Sequence, residues 1–126
     1  GEAVLTGTSG VEVLSAARLS KEQTRARNKE TLLEIINSTE LSDAQKQEAV
    51  DSMVRMTDIA EKEAAAEVLL QAKGFQEAVV SINGDAVDVV INAAELSDAQ
   101  RAQIEDIVKR KTDIAAENIV ISTIVQ

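Results

Sequence analysis

Cysteine, histidine, proline, tryptophan and tyrosine are all absent from this 126-residue chain, and Phe75 is its only aromatic residue. The lack of cysteine excludes disulfides, thiolate zinc sites and cysteine nucleophiles. The lack of histidine removes the commonest general base and the commonest transition-metal ligand. A core with a single aromatic side chain must be built from Val, Ile, Leu and Ala.

Basic residues are also scarce, since 13 Lys and Arg face 22 Asp and Glu and the net charge is −9. Phosphate backbones are bound by clustered cations, so this balance argues against nucleic acid and anionic membrane as partners. No stretch approaches the roughly 20 apolar residues of a membrane span. Residues 1–10 also lack the charged and apolar regions of a signal peptide, and we expect them to be a flexible lead.

The first long segment, residues 11–38, is predicted to be a helix of uneven character. Its first half carries several cations and few apolar partners, whereas its last two turns are rich in leucine and isoleucine. Only the end of this helix is therefore expected to pack on the domain. The first half is expected to project into solvent as a stalk.

Two more helices are marked by capping boxes, in which a serine and a glutamine three residues later bond each other's backbone N–H groups. Ser42 begins a helix that continues to Gly74, and Ser97 begins one that ends near Lys111. ELSDAQ opens both helices, and TDIA follows at the same distance in both. The repetition indicates either an internal duplication or two helices with one start signal. The second interpretation is favoured, because the first TDIA continues as helix and the second leads into a strand.

After the second helix the apolar pattern changes to the alternation of a β-strand. Residues 75–82 and 85–92 flank Asn83 and Gly84, which predicts a hairpin with a type I′ turn and positive φ at both turn residues. Loop length and apolar pattern agree on one register. That register pairs Val80 with Val87 and Ala78 with Val89.

A final strand is predicted over residues 118–125 (NIVISTIV), because six of these eight residues are β-branched. The predicted fold class is α+β, in which a long N-terminal helix pair leads into an αββαβ domain over residues 39–126. Helices are expected to cover one face of its three-stranded sheet. We expect the strand at 75–82 in the centre of the sheet, with the final strand beside it.

Catalysis could come only from carboxylates, Lys, Ser or Thr. Glu61, Glu63 and Glu67 cluster on the second helix, but their positions predict exposure, and acid–base chemistry requires burial that separates two pKa values. We therefore predict that the chain is not an enzyme and has no catalytic, cofactor-binding or metal-binding residues. The GTSG sequence at residues 7–10 matches the GxxG loop of KH domains, yet it lies in the lead. A KH-like RNA-binding domain is thus the weakest alternative.

The best candidate for a protein interface is the final strand together with the helical turn before it. The strand contains no proline and no inward charge, so at a sheet edge it is suited to pair with another chain. The cations before it are suited to steer an acidic partner. The alternative is that these cations complement their own helix dipole and that the isoleucines belong to the core. The candidate residues are Lys109, Arg110, Lys111, Ile119, Ile121 and Ile124.

The run over residues 68–122 resembles the C-terminal domain of the stage III sporulation protein AH family of endospore-forming Firmicutes. Its most distinctive pieces are AKGF at 72–75, VDVV at 87–90 and AENI at 116–119. The upstream sequence ETLLEIINSTELSDAQKQEA at 30–49 fits the same family. The resemblance implies a non-enzymatic assembly domain with the ring-building motif of specialised secretion systems.

Partner and location are implied by the same resemblance. It implies binding to the ectodomain of the forespore protein SpoIIQ, a role in a channel required by the engulfed forespore, and assembly into a homo-oligomeric ring. It also implies an N-terminal span in the mother-cell membrane, not visible in this chain, that places the domain in the space facing the forespore. The alternative is a soluble oligomerising or secretion-ring domain outside sporulation.

Overall fold

The computed structural model describes residues 2–124, with side chains described from Gly10 onward. In this range the αββαβ order predicted for the domain is confirmed, and the last residue of the predicted final strand, Val125, lies outside it. A 3-10 turn at Ala116–Asn118 precedes the last strand. The helices and strands are α1 (Glu2–Ile36), α2 (Asp43–Ala72), β1 (Val79–Asn83), β2 (Ala86–Ile91), α3 (Asp98–Thr112) and β3 (Ile119–Thr123).

Both predicted capping boxes are confirmed at the starts of α2 and α3. The Ser42 hydroxyl accepts a hydrogen bond from the backbone N–H of Gln45 at 3.2 Å, and the Ser97 hydroxyl accepts one from Gln100 at 3.1 Å. In each box the glutamine side chain accepts from the serine N–H in return. Gly74, with φ 97°, follows the end of α2, as its sequence position predicts.

The three strands lie in the order β1-β2-β3, with β1 antiparallel and β3 parallel to β2. The prediction that the strand at 75–82 is central was therefore wrong, because β2 is central and β1 forms one edge. The side of β1 that faces away from β2 is occupied by side chains from α1 and α2. Because the outer edge of β1 is covered, β3, which follows α3, pairs with the free side of β2.

Both α2 and α3 pack on one face of the sheet, as predicted. Alternate residues of β1 and β2 point to this face, and one apolar side of each helix meets them. The N-terminal half of α2 faces α1, since Val50, Met53 and Val54 line one groove with Ile36 of α1. The buried core consists of Ala66, Leu70, Phe75, Ala78, Val80, Val87, Val89, Ile91, Ile104, Ile107 and Val108.

The hairpin has a two-residue loop, but the loop is Gly84-Asp85. Asn83 is the last residue of β1 and pairs with Ala86, so the register differs from the predicted one by two residues. Only Gly84, at φ 65°, has positive φ in this turn, which is typical of type II′ and contradicts the predicted type I′. A two-residue shift leaves the same side chains on the core face, and Val80, Val87 and Val89 are buried as predicted.

Replacing Gly84 with valine is expected to lower the free energy of unfolding by about 1–3 kcal/mol, the usual effect of a strained backbone position. A Cβ atom at Gly84 would meet no other atom within 4 Å, so the effect would come from the backbone alone. Denaturant unfolding measures it. The matched control is Asp85→Val in the same loop, where φ is not positive. Equal midpoints for the two variants would contradict the described turn.

Helix α1 begins at Glu2, nine residues before the predicted Val11, so the GTSG sequence at 7–10 is helical backbone and not a loop. The predicted stalk, residues 11–28, does not project into solvent. Leu14 is only 1% exposed, and Arg25 contacts Glu63 of α2. The stalk prediction was wrong because the cations of this stretch have buried polar partners. The division of the chain into residues 1–10, 11–38 and 39–126 stays a prediction.

Candidate interaction site at the sheet edges

The outer edge of β1 is covered by charged side chains. Backbone N–H and C=O groups on an edge strand normally remain free to pair with another strand. Here four consecutive groups that point away from β2 have side-chain partners, two carboxylates and two cations. The bonds are Arg18 Nη2 to Ala78 O at 2.5 Å, Val80 N to Glu67 Oε2 at 2.8 Å, Lys21 Nζ to Val80 O at 2.8 Å and Ile82 N to Glu63 Oε2 at 2.7 Å.

Helix and strand geometry explains why two carboxylates of α2 fit two N–H groups of β1. Glu63 and Glu67 are one turn apart, which is about 6 Å along a helix. Val80 and Ile82 are two residues apart, which is about 6.6 Å along a strand. The two spacings nearly match, so both N–H groups find an acceptor at once. The side chains of α2 thereby take the place of a neighbouring strand.

Two cations of α1 neutralise these carboxylates, and a third pairs with Glu77 beside them. Lys21 Nζ lies 3.1 Å from Glu63 Oε1 and 3.8 Å from Glu67 Oε2, and Arg25 Nη2 lies 2.5 Å from Glu63 Oε1. Arg18 lies 3.5 Å from Glu77. Burial of a carboxylate is tolerated when it is paired and hydrogen-bonded, and Glu63 meets both conditions. We call this set of Arg18, Lys21, Arg25, Glu63 and Glu67 the edge network.

The prediction that the α2 carboxylates are solvated is wrong for Glu63, which is 2% exposed, and for Glu67, which is partly buried and bonded to the Val80 N–H group. It is right for Glu61, which is exposed. Both Glu63 oxygens have partners, Ile82 N–H on one and the cations of α1 on the other. A carboxylate held in this way binds the edge of the sheet.

The outer edge of β3 differs from that of β1. Among the described residues, no side chain forms a hydrogen bond to it, and no strand pairs with it. Ile119 and Ile121 pack against the core, whereas Val120 is 53% exposed and Ser122 is exposed on the other face. Ile124 continues the strand, because its N–H donates to the Ile91 carbonyl at 3.0 Å. The prediction that the final strand has an open edge therefore agrees with the topology.

The three predicted cations lie together in the last turn of α3, and Lys109, Arg110 and Lys111 are all exposed. Arg110 also pairs with Asp106 at 3.1 Å within the helix, in a contact open to solvent. This position suits the helix dipole and leaves the charges accessible to a partner. Their role in an interface stays a prediction.

Comparison with known proteins identifies the family. A protein-family model described as SpoIIIAH-like protein matches residues 2–121. The chain belongs to the SpoIIIAH-like family. The resemblance read from the sequence is thus confirmed, and the fold agrees with it.

This SpoIIIAH-like chain is 26% identical over 108 residues to stage III sporulation protein AH of Bacillus subtilis (strain 168). The match covers 86% of this chain and 50% of that protein, so the chain spans about half the length of its curated relative. A chain in the solved structure of the SpoIIQ–SpoIIIAH pore-forming complex has the same fold. It superposes with a TM-score of 0.80 at 23% identity, covering 90% of this chain and 98% of that chain.

Sequence reasoning found the β3 edge of the SpoIIIAH-like chain and missed the edge network. A signal for the network was present. Leu14, Arg18, Lys21 and Arg25 recur at the spacing of one helix face. Such a face, with a single apolar residue and three cations, fits a neighbour that offers carboxylates. The i, i+4 pair of glutamates on α2 is that neighbour.

Among residues 2–124, which the structure describes, no three Asp or Glu side chains come together as metal ligands. None of the helices described for this chain is long and apolar enough to cross a membrane.

Proposed function

We propose that this SpoIIIAH-like chain is a non-enzymatic assembly domain of a sporulation channel and binds the ectodomain of SpoIIQ. The observation that carries the proposal is the family match over residues 2–121, together with the fold shared with a chain of the SpoIIQ–SpoIIIAH complex. The buried carboxylate, Glu63, supports a binding role because both of its oxygens are already occupied.

The proposed interface is the outer edge of β3 and the last turn of α3. Strand addition joins main-chain groups of two proteins at a free sheet edge, and β3 provides such an edge. Its sequence, IVIST, contains no charge and no proline that would oppose pairing. Ile119 and Ile121 supply strand backbone, and Ile124 follows the strand with its own N–H bonded to the Ile91 carbonyl. The exposed cations Lys109 to Lys111 are suited to attract acidic groups of the partner.

The proposal extends to location and higher assembly. It places the whole protein in the mother-cell membrane with this domain in the space facing the forespore, and it includes a ring of several copies. The support is the membership of the SpoIIIAH-like family. Fractionation of sporulating cells with an antibody to this domain tests the location. Recovery of the protein only from the forespore would contradict it.

Introducing lysine at Val120 is expected to weaken binding of the SpoIIQ ectodomain at least about tenfold, a loss of about 1.4 kcal/mol. A lysine on an edge strand opposes pairing, and Val120 is exposed, so the fold should tolerate the change. Arg110→Glu is expected to slow association, because it reverses a charge at the rim of the proposed interface. Titration calorimetry gives the affinity, and stopped-flow mixing gives the rate.

The matched control is Val68→Lys, the same substitution at a site on α2 that is 65% exposed and lies outside the proposed interface. Circular dichroism confirms folding of every variant. If Val120→Lys and Arg110→Glu both bind as tightly and as fast as the unmodified chain, the interface lies elsewhere. The next surface to test is the apolar groove between the end of α1 and α2, lined by Ile36, Val50, Met53 and Val54.

A further inference from the structure

The two edges of the sheet are unequal, and α1 makes the difference. On β1, the cations of α1 hold the Ala78 and Val80 carbonyls and neutralise the carboxylates that hold the Val80 and Ile82 N–H groups. The β3 edge has no such cover within the described residues. A domain in this state can accept a strand on one side only.

Release of α1 would free both the carbonyl groups and the N–H groups on the outer edge of β1. The two carbonyls would lose their donors directly. Glu63 and Glu67 would then be two like charges one turn apart with no cation beside them, which favours their movement into water. That movement would free the Val80 and Ile82 N–H groups. The edge network therefore depends on α1 as a whole.

The attachment of α1 in this region is mainly polar. Leu14 is the only large apolar side chain that is buried between residues 10 and 36, while Val11, Val13 and Leu19 are exposed. The polar contacts of this stretch are those of Arg18, Lys21 and Arg25, whereas the apolar residues Leu32, Ile35 and Ile36 near the end of the helix are partly buried. A few substitutions that leave the core intact should thus detach residues 11–28 of α1.

We propose that α1 keeps β1 closed to strand pairing, and that its release turns the domain into a subunit with two open edges. The occupant of the uncovered β1 edge is β3 of a second copy of this chain. This inference rests on the proposed function in one respect, since it takes the β3 edge to be available for pairing.

Strand direction and sequence both support β3 of a second copy as the occupant of the β1 edge. β1 runs antiparallel to β2 and β3 runs parallel to it, so in two copies stacked side by side β3 of one copy is antiparallel to β1 of the next. Neither VVSIN nor IVIST contains a charge or a proline. A contact between two different surfaces also leaves a free edge at each end, so it continues into chains or rings of copies.

The test variant is Lys21→Gln with Arg25→Gln, and the matched control is Arg27→Gln with Lys29→Gln. Both remove two positive charges from α1, but Arg27 and Lys29 are exposed and outside the edge network. Light scattering measures the mass over a range of protein concentrations. Amide exchange measures release of α1. The test variant is expected to show fast exchange in residues 11–28 of α1 and a mass that rises with concentration to that of a dimer and beyond. The control is expected to remain at the mass of the unmodified chain.

Adding Val120→Lys to the test variant is expected to return the mass to that of the monomer. A test variant that has released α1 and stays monomeric would overturn the proposal, as would a mass increase that Val120→Lys does not suppress. If the double variant does not fold, Lys21→Gln alone carries the same test, because Lys21 touches both carboxylates and the Val80 carbonyl.

Binding of the SpoIIQ ectodomain to the unmodified chain is measured in parallel. If that binding depends on Val120 while the test variant stays monomeric, only the inference about α1 fails. If binding is independent of Val120 and Arg110, the proposed interface is wrong, whatever the mass of the test variant.

Discussion

Replacing Glu63 with alanine is expected to lower the free energy of unfolding by about 3 kcal/mol. The substitution removes a carboxylate that is 2% exposed and has three partners, the Ile82 N–H group, Lys21 and Arg25. The N–H group would be left without an acceptor, Arg25 would lose its counter-charge, and Lys21 would keep only Glu67, 3.8 Å away. The expected loss of stability lies at the lower end of the range for broken buried ion pairs, because the lysine and arginine are partly exposed and can turn toward water.

Chemical denaturation of Glu63→Ala measures this loss. The matched control is Glu61→Ala on the same helix, where the carboxylate is exposed and the change should lie within about 0.5 kcal/mol. Glu63→Gln separates the contributions, since it keeps an acceptor for Ile82 and removes the charge. Equal stability of the Glu63→Ala and Glu61→Ala variants would show that the edge network contributes nothing to the fold.

Leu70→Ala is expected to destabilise the domain by about 3 kcal/mol. Leu70 is fully buried in the last turn of α2, within the cluster that joins both helices to the sheet. Alanine would lose the transfer free energy of the removed atoms and leave a cavity that rigid neighbours cannot fill. The effect should appear as a lower denaturation midpoint with an unchanged slope.

The matched control for Leu70 is Val68→Ala, two residues earlier on the same helix and 65% exposed. Both substitutions introduce alanine into α2, so the difference between them isolates burial from helix propensity. A loss at Val68 as large as that at Leu70 would mean that the exposed face of α2 is covered in the folded protein.

The repeated TDIA sequence shows how far local sequence determines local structure. Thr57 and Asp58 lie inside α2, whereas Thr112 ends α3 and Asp113 adopts φ 61°. The Thr112 hydroxyl donates to the Val108 carbonyl at 2.7 Å and accepts from the Ile114 N–H at 3.3 Å. The residues that follow explain the difference, because EKEAAAEVLL favours helix and AENIVIST favours strand. The prediction succeeded because it weighed what comes after the repeat.

Strand faces could be predicted from the sequence, but the register and the strand order could not. The alternation of valines determines the face, and a shift of two residues leaves it unchanged. The choice between Asn83-Gly84 and Gly84-Asp85 as the loop depends on which turn fits the twist of the sheet, and both pairs are good turn sequences. Strand order depended on what covers β1, and that cover comes from Lys21, 59 residues before Val80, and from Glu67, 13 residues before it.

Residues 11–28 of α1 were mistaken for a stalk because charged residues were equated with solvation. Arg18, Lys21 and Arg25 are each only partly exposed, since the long side chains of Arg18 and Lys21 reach the edge of β1 and that of Arg25 reaches Glu63 of α2. Composition gives no information about such contacts. The spacing of the cations on one helix face does, once a matching pair of carboxylates is sought in the rest of the chain.

The edge network also sets an order of events during protein synthesis. The acceptor of Arg25 is made 38 residues after it, that of Lys21 on β1 59 residues after it, and that of Arg18 60 residues after it. By contrast, β1 and β2 are neighbours in the sequence and can pair as soon as both have left the ribosome. Helix α1 is thus the first element to be made, and its polar contacts wait until α2 and β1 have been synthesised. Until these contacts form, the edge of the nascent β1 strand is open and can mispair with a strand of a neighbouring nascent chain.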